Sequence, residues 1–167
     1  MHCIICRNSC IKSFSTNDDK IYWECGFCSG KFLDKTHYIN NAQEKKRYLE
    51  HNNDINDEGY KAFLSKLTLP LLKKISTQAE GLDFGCGHGP ALAGMLAKKG
   101  FKISLYDPFF FPDTLVLSKQ YDFITCTETA EHFHTPFKEF EILDSLLKPG
   151  GWLGVMTSFL TSDEMFE

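Results

Sequence analysis

From Gly81 onward, short apolar runs alternate with stretches whose apolar residues recur at helical spacing. "GLDFG" (81–85) is an apolar run closing on glycine. "PALAGMLAKKG" (90–100) reads as a helix, with Pro90 suited to its first turn and Gly100 just past its end. "FKISLYD" (101–107) is the next strand. "YDFITCTE" (121–128) and "WLGVMTS" (152–158) are two more, joined by the helical "PFKEFEILDSLLKPGG" (136–151). This rhythm predicts an α/β fold: a parallel sheet with crossover helices on its faces. Ligands of such sheets sit beyond the carboxyl ends of the strands, where the glycines of 81–90 fall.

Residues 37–78 carry a different pattern, that of two helices. "NAQEKKRYLEHN" is charged, with Tyr48 and Leu49 as sparse apolar anchors. "DEGYKAFLSKLTLPLLKKI" repeats Tyr60, Phe63, Leu64, Leu67 and Leu71 at helical spacing up to a break or kink expected around Pro70. The segment is a linker with a packing helix, or a cap over the next domain using His51, Tyr48 or Tyr60. Ahead of it, "IKSFS" and "KIYWEC" alternate as strands of a short ribbon. The predicted organisation is a small module over 1–36, a helical connector or cap over 37–78, and the α/β core over 79–167.

Cysteine placement changes the reading of the first segment. "CIIC" (3–6) and "CGFC" (25–28) are separated by 18 residues, the spacing of a structural zinc site. Each pair aims two thiolates at one point, so Cys3, Cys6, Cys25 and Cys28 supply a closed tetrahedral shell for Zn²⁺. Gly26 is expected to let the second turn fold back. The alternative is a redox dithiol or unrelated free cysteines. Cys10 is expected beside the site and not as a ligand, and a closed shell makes the metal a scaffold. So short a segment, with few large apolar groups, needs such a staple.

Composition narrows the setting. The 167 residues are 43% hydrophobic and 24% charged, with a formal net charge of −4, ordinary for one globular core with an appendage. No apolar run approaches the length that spans a bilayer, and no signal peptide is read at the start, so the expected setting is cytoplasmic and reducing.

The glycine turn fails two nucleotide fingerprints. The dinucleotide pattern G-x-G-x-x-G needs a third glycine where this chain has Pro90 or Leu92. A P-loop needs Gly-Lys-Ser/Thr, which does not follow. What stands is D-x-G-C-G-x-G, led by Asp83.

That turn resembles motif I of the S-adenosylmethionine-dependent methyltransferases with a Rossmann-like core, and the likeness extends from about Gly81 to Ser158. The resemblance implies that Asp83 helps hold the ligand's amino group, often through water. It implies that the backbone at Gly85, Cys86, Gly87 and Gly89 approaches the methionyl and ribose portions. Asp107, 24 residues past Asp83, ends the second strand and would accept both ribose hydroxyls. Pro108 follows it, and Phe109 either lies against the adenine or packs in the core. "LLKPGGWLGVMT" also resembles this family. Cys86 reads as a turn residue and Cys126 as a buried strand residue.

"TETAEHFH" (127–134) supplies Thr127 and Glu128 to the cofactor site, and Glu131 and His132 as base or acceptor-orienting residues. The "E-x-x-E-H" run is similar to that of small-molecule methyltransferases. It is equally similar to that of enzymes acting on the 3′ ends of small RNAs, where such residues hold a divalent metal. Another reading makes Glu128 a helix cap.

Two departures from the family stand out. Only 13 residues separate Asp107 from Tyr121, too few for helix, third strand and helix, so the third strand is expected to be missing. Asp113 is then a stand-in for the residue that reads the adenine amino group. The chain also ends about nine residues past the fifth strand, which suggests a fragment lacking the last two strands. The resulting expectation is a methyltransferase with a small-molecule or sugar acceptor, no membrane partner, and a zinc ribbon. The alternatives are an RNA methyltransferase whose ribbon (Arg7, Lys12, Lys20, Lys31, Lys35, Tyr22, Trp23) grips nucleic acid, and a binding module without turnover.

Overall fold

The computed structural model describes residues 1–15, 19–50 and 55–158, so His51 lies outside the described residues, as does the chain beyond 158. Two sheets are present among them. The first is an antiparallel ribbon of β1 (Ile11–Ser15), β2 (Ile21–Cys25) and β3 (Lys31–Leu33), in that order. Its interior is small: Cys3, Cys25 and Phe32 are buried, with Ile4, Ile5, Cys6, Ile11 and Trp23 packed against them. The Trp23 indole N–H donates to Asp34 Oδ2 at 2.6 Å. That bond and two from Thr36 hold the Asp34 carboxyl down to about 2.

Two helices follow, α1 (Asn41–Glu50) and α2 (Glu58–Leu72). Asp57 starts α2 by accepting the N–H groups of Gly59 and Tyr60. The break expected at Pro70 comes two residues later, because a proline within the last turn removes a single backbone donor. Leu49, expected as an anchor of α1, is 56% exposed, and α1 buries no residue. Its contacts include those of Tyr48 with Phe109 and His132 and of Lys45 over the Phe110 ring.

The second sheet is wholly parallel, in the order β5 (Lys102–Tyr106), β4 (Glu80–Phe84), β6 (Tyr121–Thr127), β7 (Leu147–Met156). The helices between strands are α3 (Ala91–Ala97) and α4 (Pro136–Ser145). A parallel sheet is covered on both faces, and β6 shows it: Phe123 packs with Leu64, Leu71, Leu92 and Leu96 of α2 and α3, while its neighbour Ile124 packs with Leu82, Phe84 and Leu143. Gly81 is required on β4, since a Cβ there would overlap the Phe123 ring. The fold is the Rossmann-like arrangement expected from the sequence.

Between Asp107 and Tyr121 the described chain forms a tight turn closed by paired Asp107–Phe111 backbone bonds and then a short 3-10 turn, Thr114–Ser118, so no third strand fills that interval. Asp113 caps this turn by accepting the Leu115 N–H at 2.9 Å, is exposed, and is not among the residues lining the cavity below. The helix expected across 136–151 ends at Ser145. "LKPGG" instead bulges from β7: Tyr121 pairs Leu147, yet Phe123 pairs Trp152. Gly150 takes φ +78°, and Lys148 reaches Asp122 at 2.9 Å. Among the described residues no helix is long and apolar enough to cross a membrane.

Candidate active site and metal centre

The turn after β4 folds by backbone bonds: the N–H groups of Gly85 and Cys86 both donate to the Tyr106 carbonyl at the end of β5. Gly85 and Gly87 take φ of +73° and +63°. Gly85 has a second reason to be glycine. A Cβ there would overlap the Thr129 side chain, whose hydroxyl donates to the Gly85 carbonyl at 3.1 Å. The space a Gly85 side chain would take is thus filled by the protein's own Thr129. Gly85→Ala is expected to cost about 2–3 kcal/mol of stability, read as a lower urea midpoint, with part of the loss recovered in Gly85→Ala/Thr129→Gly. An unchanged midpoint for Gly85→Ala would contradict the packing described.

Asp107 locks the turn to the next loop. Its Oδ2 accepts the Gly87 N–H at 3.1 Å, and its Oδ1 accepts those of Phe109 at 2.8 Å and Phe110 at 3.0 Å. Asp83, inside the sheet, is 2% exposed. It accepts the Thr125 hydroxyl at 2.7 Å and the Ala93 N–H, while burial pushes its carboxyl up to about 6. Burial also raises the Cys86 thiol, with Asp83 and Asp107 adding to it, so this cysteine is a protonated wall of the turn.

These residues open onto one cavity of about 970 Å³. Asp83, Gly85, Cys86, Gly87, Gly89, Asp107, Pro108, Phe109, Thr127, Glu128, Glu131 and His132 all line it. Glu128 ends β6 with φ +48°, a left-handed conformation rare for a residue other than glycine, and its N–H donates to the Met156 carbonyl at 2.7 Å. Partial burial and then the nearby Glu131 raise its carboxyl. Glu128 is not a cap; Thr129 and Thr135 occupy the positions before the next two helical segments.

Of the residues named for a cap, Tyr48 on α1 lines the cavity; the sequence missed Asn41, Glu44 and Lys45, which α1 also brings to it. The Tyr48 ring stands edge-on to His132 at 5.6 Å and tilted to Phe109 at 5.9 Å, and its hydroxyl donates to Glu44 at 2.8 Å. Burial, followed by Glu44, keeps this phenol protonated well above its usual range. From α2, Tyr60 and Phe63 reach the same space.

In the ribbon, the Sγ atoms of Cys3, Cys6, Cys25 and Cys28 all lie within 4.8 Å of one another. The Cys3–Cys28 and Cys6–Cys25 separations are 3.8 and 3.7 Å. A tetrahedral shell with Zn–S of about 2.3 Å demands about 3.8 Å between sulfurs, so the donor set fits zinc. A disulfide would need about 2.05 Å. Hydrogen bonding, first from the Cys28 backbone, lowers the Cys25 thiol to about 7, whereas burial pushes Cys28 up to about 12. Cys10 is outside this group and exposed. Gly26 does not take a positive φ; it is small because Cys10 Sγ lies 3.0 Å from where its Cβ would be. The residues just after each pair, Arg7 (+61°) and Ser29 (+57°), are in the left-handed region. Among the described residues this is the one group of three or more side chains able to gather on a metal, so Glu128, Glu131 and His132 do not form a second.

No curated protein matches the chain. Among solved structures it is similar to the PH0226 protein from Pyrococcus horikoshii OT3, at 19% identity and a TM-score of 0.45, over 65% of this chain and 64% of that one. The chain thus spans slightly under two thirds of that protein's length. The sequence profile of the family described as methyltransferase domain matches residues 56–167, taking in α2 as well as the whole parallel sheet. By that match over most of its length, the chain belongs to the methyltransferase domain family.

Proposed function

We propose that this protein transfers a methyl group from S-adenosylmethionine to an uncharged or cationic small molecule, sugars included. The observation that carries the acceptor class is the charge of the cavity. Glu44, Asp83, Asp107, Glu128, Glu131 and Glu139 line it, against a single lysine, Lys45. A phosphate-rich acceptor would meet repulsion there, while the cofactor, with one net positive charge, is drawn in. Its neutral thioether product loses that attraction, which favours release.

In this reading Asp107 accepts a ribose hydroxyl with the lone pair its three backbone donors leave open. Asp83 faces the ammonium, and the backbone of Cys86, Gly87 and Gly89 lies along the ligand. Pro108 and Phe109 border the adenine; Thr127 and Glu128 form the floor. Bound S-adenosylmethionine supplies an electrophilic methyl on sulfur. His132 and Glu131, at the cavity mouth, orient the acceptor and take its proton. Cys3, Cys6, Cys25 and Cys28 hold a structural zinc ion. The RNA alternative has less support, because Tyr22 is buried, Trp23 is tied to Asp34, and Lys12 pairs with Glu24 at 2.8 Å.

Incubating the protein with methyl-labelled cofactor and a fractionated cell extract tests the reading. Label in the small-molecule fraction supports it; label confined to RNA or protein overturns the acceptor class, and none at all favours a module without turnover.

Asp83 makes a second check through pH. The folded carboxyl keeps its proton to about pH 6, while the unfolded one loses it near about 3.9. Stability is therefore full below about pH 4 and falls by about 2–3 kcal/mol as pH rises through 6. Asp83→Asn is expected to melt higher than the parent at pH 8, with no gain at pH 4, and to bind S-adenosylmethionine at least about tenfold more weakly. A variant that lost stability at pH 8 and kept its affinity would refute the role.

A further inference from the structure

The helix α4 begins without a cap of its own. Thr135 precedes it in a non-helical conformation and makes no capping bond; its hydroxyl is turned to Glu139, at 2.9 and 3.0 Å from the two carboxylate oxygens. The first turn of a helix leaves backbone donors unsatisfied. One of them, the Phe137 N–H, donates to the Ile4 carbonyl at 3.2 Å. Ile4 sits between Cys3 and Cys6, two of the four thiolates grouped for zinc. The metal knuckle thus does for α4 what its own threonine does not.

Two further contacts fix the same place. The Arg7 guanidinium lies 3.7 Å from the centre of the Phe137 ring and 3.6 Å from Glu141, one turn further along α4. Tyr38, just past the ribbon, stacks on His134 at 4.5 Å and 16°. The ribbon and its exit therefore touch residues 134, 137 and 141. The segment from Glu128 to His134, which ends at that contact, carries Glu128, Glu131, His132 and His134 into the cavity.

Arg7 holds its place against a local preference. At φ +61° a glycine would be favoured, and an ordinary residue costs the knuckle some stability. Ser29 occupies the matching place in the second knuckle at +57°, where its N–H donates to the Cys25 carbonyl at 2.9 Å.

We infer that Arg7 is a positioning residue of the methyltransferase domain: with the Ile4 carbonyl it ties the zinc knuckle to Phe137 and thereby orders the 128–137 segment on the acceptor side of the cavity. The consequence for the acceptor rests on the function proposed above; the tie itself does not.

Hydrogen exchange of the zinc-loaded full chain, followed over the amides of 129–139, tests it. Exposed cation–π and ion-pair contacts of this kind predict roughly three- to tenfold faster exchange in Arg7→Ala and Arg7→Gly. Arg7→Lys, which keeps a cation over the ring, is expected to restore most of the protection. Ser29→Gly relieves the same backbone strain and should leave exchange at the parent rate. Binding of S-adenosylhomocysteine is expected to stay within about threefold of the parent in every variant. Parent-like exchange in Arg7→Ala overturns the inference, as does an equal acceleration in Ser29→Gly. If the parent itself fails to bind S-adenosylhomocysteine, the cofactor reading falls, while the exchange rates still decide the part played by Arg7.

Discussion

Asp107→Ala is expected to lower the affinity for S-adenosylmethionine by about 100-fold or more, read by isothermal titration on the folded variant. Two effects add. In the proposed function the carboxylate accepts a ribose hydroxyl, and a hydrogen bond to a charged group is worth about 1.5–3 kcal/mol. It also organises the site before any ligand arrives, through the Gly87, Phe109 and Phe110 N–H groups. Without it the glycine turn and the 108–111 loop lose their common anchor, and ordering them again draws on binding energy. Asp107→Asn retains one acceptor oxygen and should fall between the two. Equal affinity in the parent and in a folded Asp107→Ala would remove Asp107 from the site and leave the cavity without its ribose contact.

The parts of this site that were legible in the sequence are those fixed by local chemistry. A C-x2-C turn converges two sulfurs whatever surrounds it, so the four thiolates were readable from spacing alone. Glycines at left-handed positions and acids at strand ends are likewise set by a few neighbouring residues, and Asp83, Gly87 and Asp107 stand where the pattern put them. The rest depends on contacts between distant segments. Gly85 is glycine because of Thr129, 44 residues away. Asp113 has the charge of an adenine reader but is spent on the Leu115 N–H, one 3-10 turn away. Leu49 and Tyr48 have similar weight in a hydropathy pattern; only the packing against Phe109 and His132 shows that Tyr48 is the contact. The seat of the ribbon on α4 has no sequence signature either, since a backbone carbonyl provides one of its bonds.

Stripping the metal with a chelator is expected to unfold the ribbon and leave the parallel sheet standing. The ribbon buries Cys3, Tyr22, Cys25 and Phe32 and little else, and two of those four belong to the cysteine group. Apolar burial on that scale cannot order β1–β3, whereas a structural zinc site in a small domain contributes about 10 kcal/mol or more to folding. The two core clusters of the sheet are formed without any ribbon residue, so they have no reason to melt with it. The two tryptophans report on the two parts separately. The Trp23 indole proton, held by Asp34, should lose its distinct resonance, and Trp152 on β7 should keep its own. Cys25→Ser should reproduce the effect in the presence of zinc, because three thiolates leave the tetrahedron open. Affinity for S-adenosylmethionine should change by less than about threefold, since neither Asp83 nor Asp107 touches the ribbon. Protection of the Phe137 amide should be lost, because its acceptor, the Ile4 carbonyl, belongs to the unfolded knuckle. A Trp23 resonance that survives complete removal of metal would mean that the four cysteines are held by the ribbon and do not hold it.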